Sequence, residues 1–486
     1  MAMDEAADRR ATAIFLLAIS VYFAAQVGLR LVLGGAYETD EAEMLVMTPG
    51  LRLGYGPQLP LYNWLQLGFF ELFGRGLLAL SLLKNLLLWL TALLAFLGLR
   101  IWLPASGAAL AALSLFLLPD YAWEAQRATT HSNMLLVTSA ATLAAFLWAV
   151  KGGRLIAWAL LGIAIGLGGL AKYNFYLVPL GLVLAGLTLT PLRAQILRRR
   201  ALIAPAIAAA IVALPYRWMI ANRDLAFSSV GKLQLEAEPV RQMLPAGLLR
   251  LPEGLLALLG LALIVAAGLW LFGRSRGKPV GPGPVAALLL RAAIVATLLT
   301  AVGVWLAQAG TLTARWLLPL AFLSVLGVFA GLAPRLGRGG RVGLVAFLGL
   351  VALLVLTGLT YDRFKEGARR DVDFSLLPER LAAIEGSEGL PVIAEFYTAG
   401  NLAAREPQRP VAPYLPFAAR RFEGETVLFL LRETVPPSFE VGLVRAGWPA
   451  SARFDILSEG DFTLPYMHSD EDMPFRYVLA RPVAQP

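Results

Sequence analysis

The stretch YETDEAEMLVMTPGLRLGYGPQLPLYNW, Tyr37 to Trp64, sets the terms for the rest of the chain. It places Glu38, Asp40, Glu41 and Glu43 within six positions, directly after an apolar run from Ala11 to Leu33. Carboxylates packed this closely against a membrane segment repel one another and are poorly solvated, a cost that signals chemistry or a bound cation rather than packing. A turn rich in Pro, Gly and Tyr, from Tyr55 to Tyr62, then leads into the next apolar run.

Working outward, the composition fits that position. Of 486 residues 58% are hydrophobic and 15% charged, against about 25% charged in a soluble domain, and the mean hydropathy is +0.67. Such a chain reads as a polytopic membrane protein. The absence of cysteine excludes a disulfide framework, a thiol nucleophile and a Cys-ligated metal. Arg9-Arg10 precede the first apolar run and Gly34-Gly35-Ala36 follow it. That run is longer than the roughly 7–15 residues of a signal-peptide core, so a retained span is expected rather than a cleaved leader.

Further runs of spanning character fall at about 76–99, 103–118, 133–150, 155–171, 175–189, 201–220, 251–272, 285–307, 316–333 and 342–360, which predicts about eleven helices. The 103–118 run is short, and an odd tilt or a re-entrant course is expected there. With the N-terminus inside, the cytoplasmic connections carry Arg100; Lys151 and Arg154; Arg193 and Arg198 to Arg200; Arg274, Arg276 and Lys278; and Arg335, Arg338 and Arg341. The other side receives the acid cluster, Asp120 and Glu124, the Ala221–Arg250 loop and an acidic C-terminal segment. This bias predicts an N-in, C-out topology. From Tyr361 onward there are 14 Lys/Arg and 19 Asp/Glu, leaving 28 and 14 before it. The positive-inside rule accounts for the basic excess, so no nucleic-acid partner is implied.

Two segments differ in character. LQLGFFELFG, after Trp64, puts Leu65, Phe69, Leu72 and Phe73 on one face and predicts either a helix lying in the outer interface or an extension of the next span. After Thr360 the apolar fragments shorten. Pro391–Phe396, Thr426–Leu431 and Arg476–Arg481 read as strands, with short helices at Leu376–Ile384 and Thr398–Arg405. The expectation is a membrane part at residues 1–360 and a small extracytoplasmic α/β domain at 361–486.

Asp40-Glu41-Ala42 shortly after the first span, followed by Gly54-Tyr55-Gly56-Pro57-Gln58-Leu59-Pro60-Leu61-Tyr62-Asn63-Trp64, resembles the GT-C class of membrane glycosyltransferases that use polyprenyl-phosphate sugars. This class includes protein O-mannosyltransferases and lipid A aminoarabinose transferases. The wording of the second element is most similar to rhizobial lipid A galacturonosyltransferases. The resemblance covers roughly Arg10 to Thr360. It implies an inverting enzyme at the periplasmic face of the bacterial inner membrane, with a polyprenyl-phosphate sugar as donor and lipid A or lipopolysaccharide core favoured as acceptor.

Such transfer needs a base for the acceptor hydroxyl and cations for the departing phosphate, placed where a lipid tail can stay in the bilayer. Asp40 matches the family's acidic residue and is the expected base, with Glu41 second. Lys172, in Gly-Gly-Leu-Ala-Lys-Tyr-Asn, and Arg315, in an Arg-aromatic-x-x-Pro pattern, match family positions implied to hold phosphate. Both sit where the positive-inside rule disfavours a cation. Arg217 is a third. Tyr55, Gln58, Tyr62 and Asn63 offer hydrogen bonds to a sugar, and Glu124, His131 and Asn133 join them from the second outer loop. Gln58 stands where relatives often have an acid or His, so a divalent cation is left open and no metal ligands are assigned. A transporter or lipid flippase is the rival reading, disfavoured because the polar groups gather at one edge and no repeat is evident.

Overall fold

The computed structural model describes residues 2–127, 129–228, 244–273, 283–432 and 435–483. Arg274, Arg276, Lys278, Gly281, Pro282 and the middle of the Ala221–Arg250 stretch lie outside the described residues.

α1 (Ala2–Leu33) leads into α2 (Thr39–Met47), which carries the acid cluster, and α3 (Leu61–Phe73). Next come α4 (Leu77–Arg100), α5 (Ala105–Leu113), the single-turn α6 (Ala125–Arg127), α7 (His131–Gly152), α8 (Leu155–Gly169) and α9 (Leu177–Leu187). After α10 (Thr190–Ile196), α11 (Ile203–Ala221) and the short α12 (Arg223–Ala226), the bundle closes with α13 (Ala246–Phe272), α14 (Pro284–Ala307), α15 (Leu318–Leu332) and α16 (Arg338–Phe364).

Each of the eleven expected runs is helical, but they are not eleven straight spans. Among the described residues eight helices are long and apolar enough to cross a membrane, or ten if two bent pairs each count as one span. Ala105–Leu117 and Asp120–Arg127 meet at 79°, and Tyr173–Leu187 and Thr190–Ile196 at 117°. The first bend is the unusual course expected of the 103–118 run; it falls at Leu118-Pro119, and a π-helical turn at Asp120–Glu124 follows it. The remaining run, α8, has only 15 residues.

α7 and α15 are largely enclosed, whereas α1, α11, α13 and α16 leave most of their length open. Small residues such as Ser139, Ala140 and Thr142 on α7 let neighbours approach, while Leu on an outer face loses nothing against lipid. α3 is a separate helix rather than an extension of α4. It stops at Gly74, whose φ of 81° suits glycine and whose N–H closes on Phe70 O at 2.9 Å. Leu65, Leu72 and Phe73 face outward from it.

The C-terminal domain runs α17 (Leu377–Ala382), β1 (Val392–Ala394), α18 (Phe396–Arg405), β2 (Val411–Pro413), α19 (Ala418–Arg421), β3 (Val427–Arg432), α20 (Phe439–Ala446), β4 (Phe454–Pro465) and β5 (Asp472–Pro482). Its sheet has the order β2-β1-β3-β5-β4, parallel from β2 to β3 and antiparallel beyond. Central β3 is buried along its length, which is why it reads as a continuous apolar run. β4 lies at the edge with Asp455 and Glu459 exposed, and its mixed sequence hid it. The core on one sheet face includes Ala36, which precedes α2. The domain is therefore packed on the segment that carries the acids.

Candidate active site

α2 begins with a capping box in which the Glu38 side chain takes the N3 N–H and the Glu41 side chain takes the Glu38 N–H. Successive positions on a helix point about 100° apart, so the four acids face different partners. Asp40 turns toward the N-terminus of α7 and the turn before α15. Arg315 Nη1 stands 4.0 Å from its Oδ2. Burial raises the Asp40 pKa above the usual carboxylate value, while Arg315, Lys172, Lys84 and the Thr130 peptide N–H pull it back down.

Lys172 precedes α9 and donates to Ser132 Oγ at 2.9 Å. Burial pushes its pKa down to about 8, with Arg315 acting in the same direction and Asp40 and Asp120 opposing. Two carboxylates and two cations thus share one field. Lys172 also lines a cavity of about 620 Å³ whose other walls include Tyr176, Leu180, Thr300, Val304 and Trp316. The lining is mainly apolar, and Leu180 is 49% exposed on the outer face of α9.

Glu41 points the other way and is not placed as a base. Arg30 holds its Oε2 at 2.8 Å, Lys84 holds Oε1 at 3.1 Å, and Arg370 Nη2 lies 3.9 Å from Oε1. Burial alone would raise its pKa; Arg30, Lys84 and Arg370 outweigh burial and hold it well below the carboxylate range. Such a carboxylate is a weak proton acceptor, which corrects its standing as second choice.

The other predicted residues divide. Tyr55 ties down its own loop, donating to Gly50 O at 2.7 Å and accepting from Arg52 N at 2.9 Å. Gln58 donates to Glu43 at 3.2 Å. Asn63 fastens α3 to the end of α2 through Met47 O and Thr48 Oγ1. Asn133 bonds Thr129 O at 2.9 Å, and Glu124 pairs with Arg127 at 3.8 Å. Tyr62 and His131 are buried with their rings 5.2 Å apart, and among the described residues neither the Tyr62 hydroxyl nor the His131 nitrogens has a hydrogen-bond partner. Arg217 is exposed on α11 and makes no ion pair among the described residues; its neighbour Tyr216 instead bonds Gly169 O at 2.9 Å. No three His, Asp or Glu side chains converge as metal ligands among the described residues.

Sequence reading missed Arg30, Lys84 and Arg370. Lys84 carried a signal, since it is the one charge inside LLALSLLKNLLLWLTALLAFLGL, and a charge inside a span marks a paired or functional site. Arg370 gave none, lying among other charges of the C-terminal segment.

Residues 56–218 match the dolichyl-phosphate-mannose-protein mannosyltransferase family. Two curated relatives from Rhizobium johnstonii are lipopolysaccharide core galacturonosyltransferases. RgtB is 33% identical over 328 residues, covering 66% of this chain and 65% of RgtB. RgtA is 37% identical over 255 residues, covering 52% of this chain and 50% of RgtA. The chain therefore spans less than two thirds of either relative. Apo ArnT from Cupriavidus metallidurans superposes with a TM-score of 0.59 at 15% identity, over 96% of this chain and 97% of ArnT. The chain has the GT-C fold of ArnT. A structure of ArnT bound to undecaprenyl phosphate matches with a TM-score of 0.55 at 16% identity and the same coverage. Coverage this broad means that the shared GT-C architecture includes the C-terminal sheet as well as the helical bundle.

Proposed function

We propose that this chain is an inverting glycosyltransferase that moves a sugar from a polyprenyl phosphate to a hydroxyl of lipopolysaccharide core or lipid A. The observation that carries this reading is the meeting of Asp40, Arg315 and Lys172, the last of which also lines a mainly apolar cavity. The donor phosphate sits between Lys172 and Arg315, and the isoprenoid tail lies in the cavity. Asp40 accepts the proton of the acceptor hydroxyl as its oxygen bonds to the anomeric carbon. The carbon–oxygen bond to phosphate breaks, and the phosphate leaves with the electron pair, its charge met by the two cations. A single displacement inverts the anomeric centre.

The names of RgtB and RgtA favour galacturonic acid as the sugar and the lipopolysaccharide core as the acceptor. Together with the shared fold they favour an enzyme over a transporter. The loop charges favour a cytoplasmic N-terminus, with the site and residues 361–486 on the periplasmic side of a bacterial inner membrane. The test is incubation of the purified full-length chain with polyprenyl-phosphate galacturonic acid and lipopolysaccharide core or lipid A, read by mass spectrometry. A product heavier by one hexuronosyl residue is expected. Unchanged acceptors, with donors carrying other sugars equally inert, overturn the reading.

A further inference from the structure

The segment that carries Asp40 is gripped from the C-terminal domain at every step. Asn401 of α18 brackets the Tyr37 peptide: its Oδ1 accepts the Tyr37 N–H at 2.9 Å, and its Nδ2 donates to Tyr37 O at 3.0 Å. The same amide donates to Tyr397 O at 2.8 Å, which fixes its orientation. One residue earlier the Ala36 N–H bonds Arg370 O at 2.9 Å. Gly400 lets α18 lie directly on α2, because a Cβ there would stand 2.3 Å from Ala42 O. Arg370, 4% exposed, reaches past this contact with Nη2 3.9 Å from Glu41 Oε1 and Nε 3.9 Å from Glu38 Oε1, and it also donates to Arg127 O.

These contacts exceed what anchoring a head domain requires. Asn401 pairs with the N–H and the C=O of one residue, groups of the two peptides that flank the Tyr37 Cα, as a neighbouring strand would, and so fixes that stretch of backbone in translation and rotation. Tyr37 lies three positions before Asp40. Glu38 and Glu41, the two capping residues of α2, both face Arg370. The grip therefore acts on the first turn of the helix, the turn that aims Asp40 at Arg315.

We propose that Asn401 and Arg370 are positioning residues of the transferase site, setting where the Asp40 carboxylate stands through the Tyr37 peptide and the Glu38–Glu41 cap. The C-terminal domain is thereby a working part of the active site. This rests on the glycosyltransferase reading and on Asp40 as its base. Displacing a reacting group by about 1 Å lowers turnover about 100-fold. Lys172 and Arg315, which meet the phosphate, are held by other elements.

The experiment uses full-length protein in nanodiscs with three variants. Asn401→Leu keeps the branched side-chain shape and removes both bonds to Tyr37. Asn401→Asp keeps the acceptor for the Tyr37 N–H and loses the donor. Arg370→Met removes the charge facing the cap. Undecaprenyl phosphate is titrated to count binding sites and measure Kd, and kcat per binding site is then measured. The expected result for Asn401→Leu is parental site number and Kd with kcat per site at least tenfold lower, with Asn401→Asp between it and the parent. For Arg370→Met a comparable fall in kcat per site is expected. Fewer binding sites with parental kcat per site would mean that the residues merely support folding, and parental kcat in all three would mean that they do nothing; either overturns the proposal. Asp40→Asn is run alongside. If it turns over normally, the base assignment fails, a result distinct from failure of the grip.

Discussion

Nη1 of Arg315 stands 4.0 Å from Oδ2 of Asp40, beyond hydrogen-bond range. The pair is held by charge, and the guanidinium keeps its donors for another acceptor. An arginine paired this loosely can take a phosphate without first giving up a bond to the base beside it.

Asp40→Asn keeps the size of the side chain and removes its proton affinity. We expect undecaprenyl phosphate binding to stay within twofold of the parent and turnover to fall by about 10²–10⁴, the usual contribution of a general base. Single-turnover transfer measured beside donor binding checks this.

Lys172→Met removes the cation from the cavity lining. Hydrogen bonds to charged groups contribute about 1.5–3 kcal/mol, so donor Kd should rise roughly tenfold to hundredfold while acceptor KM stays put. Isothermal titration with undecaprenyl phosphate, beside acceptor kinetics, separates the two.

The pH dependence of kcat/KM should be bell-shaped, and its sign follows from the two groups. Asp40 works ionised, and burial raises its pKa; activity therefore rises with pH through a value above that of an unburied aspartate. Lys172 works protonated, and burial pushes it down to about 8; activity falls as pH climbs past about 8. Lys172→Arg stays charged throughout and should move the basic limb upward.

Which of these residues the sequence could reveal depended on the reach of each signal. The acid cluster, Lys172 and Arg315 were legible because a charge at the apolar–polar boundary stands out in one dimension. The division of labour inside the cluster was not. Asp40 and Glu41 are neighbours in sequence, yet one helical step turns the first toward Arg315 and the second toward Arg30 and Lys84. Only the fold tells which acid is already neutralised. β3 was readable because both its faces are covered, whereas edge strand β4, half exposed, was not among the expected strands. Asn401 lies 364 positions from Tyr37 and carries no local mark at all.

Glu41→Gln should be costly in stability. Arg30, Lys84 and Arg370 would then face one another without their shared anion, and removing one member of a buried pair costs about 3–5 kcal/mol. Thermal unfolding in detergent should show a clear loss of melting temperature. The surface variant Arg250→Gln, whose Glu253 partner is exposed, should leave it unchanged.

Filling the cavity tests where the tail goes. Gly303→Phe and Thr300→Trp add bulk to its wall. We expect KM to rise for a full-length undecaprenyl donor and to stay near parental for a donor with a short prenyl chain. Equal effects on both would place the tail elsewhere.

The cavity beside Lys172 reaches a side chain, Leu180, on the outer face of α9. A tail entering there comes sideways from the bilayer rather than from water. Its occupancy then follows the mole fraction of donor among the surrounding lipids, not its amount per litre, so adding inert phospholipid at constant donor should slow the protein as dilution does in solution.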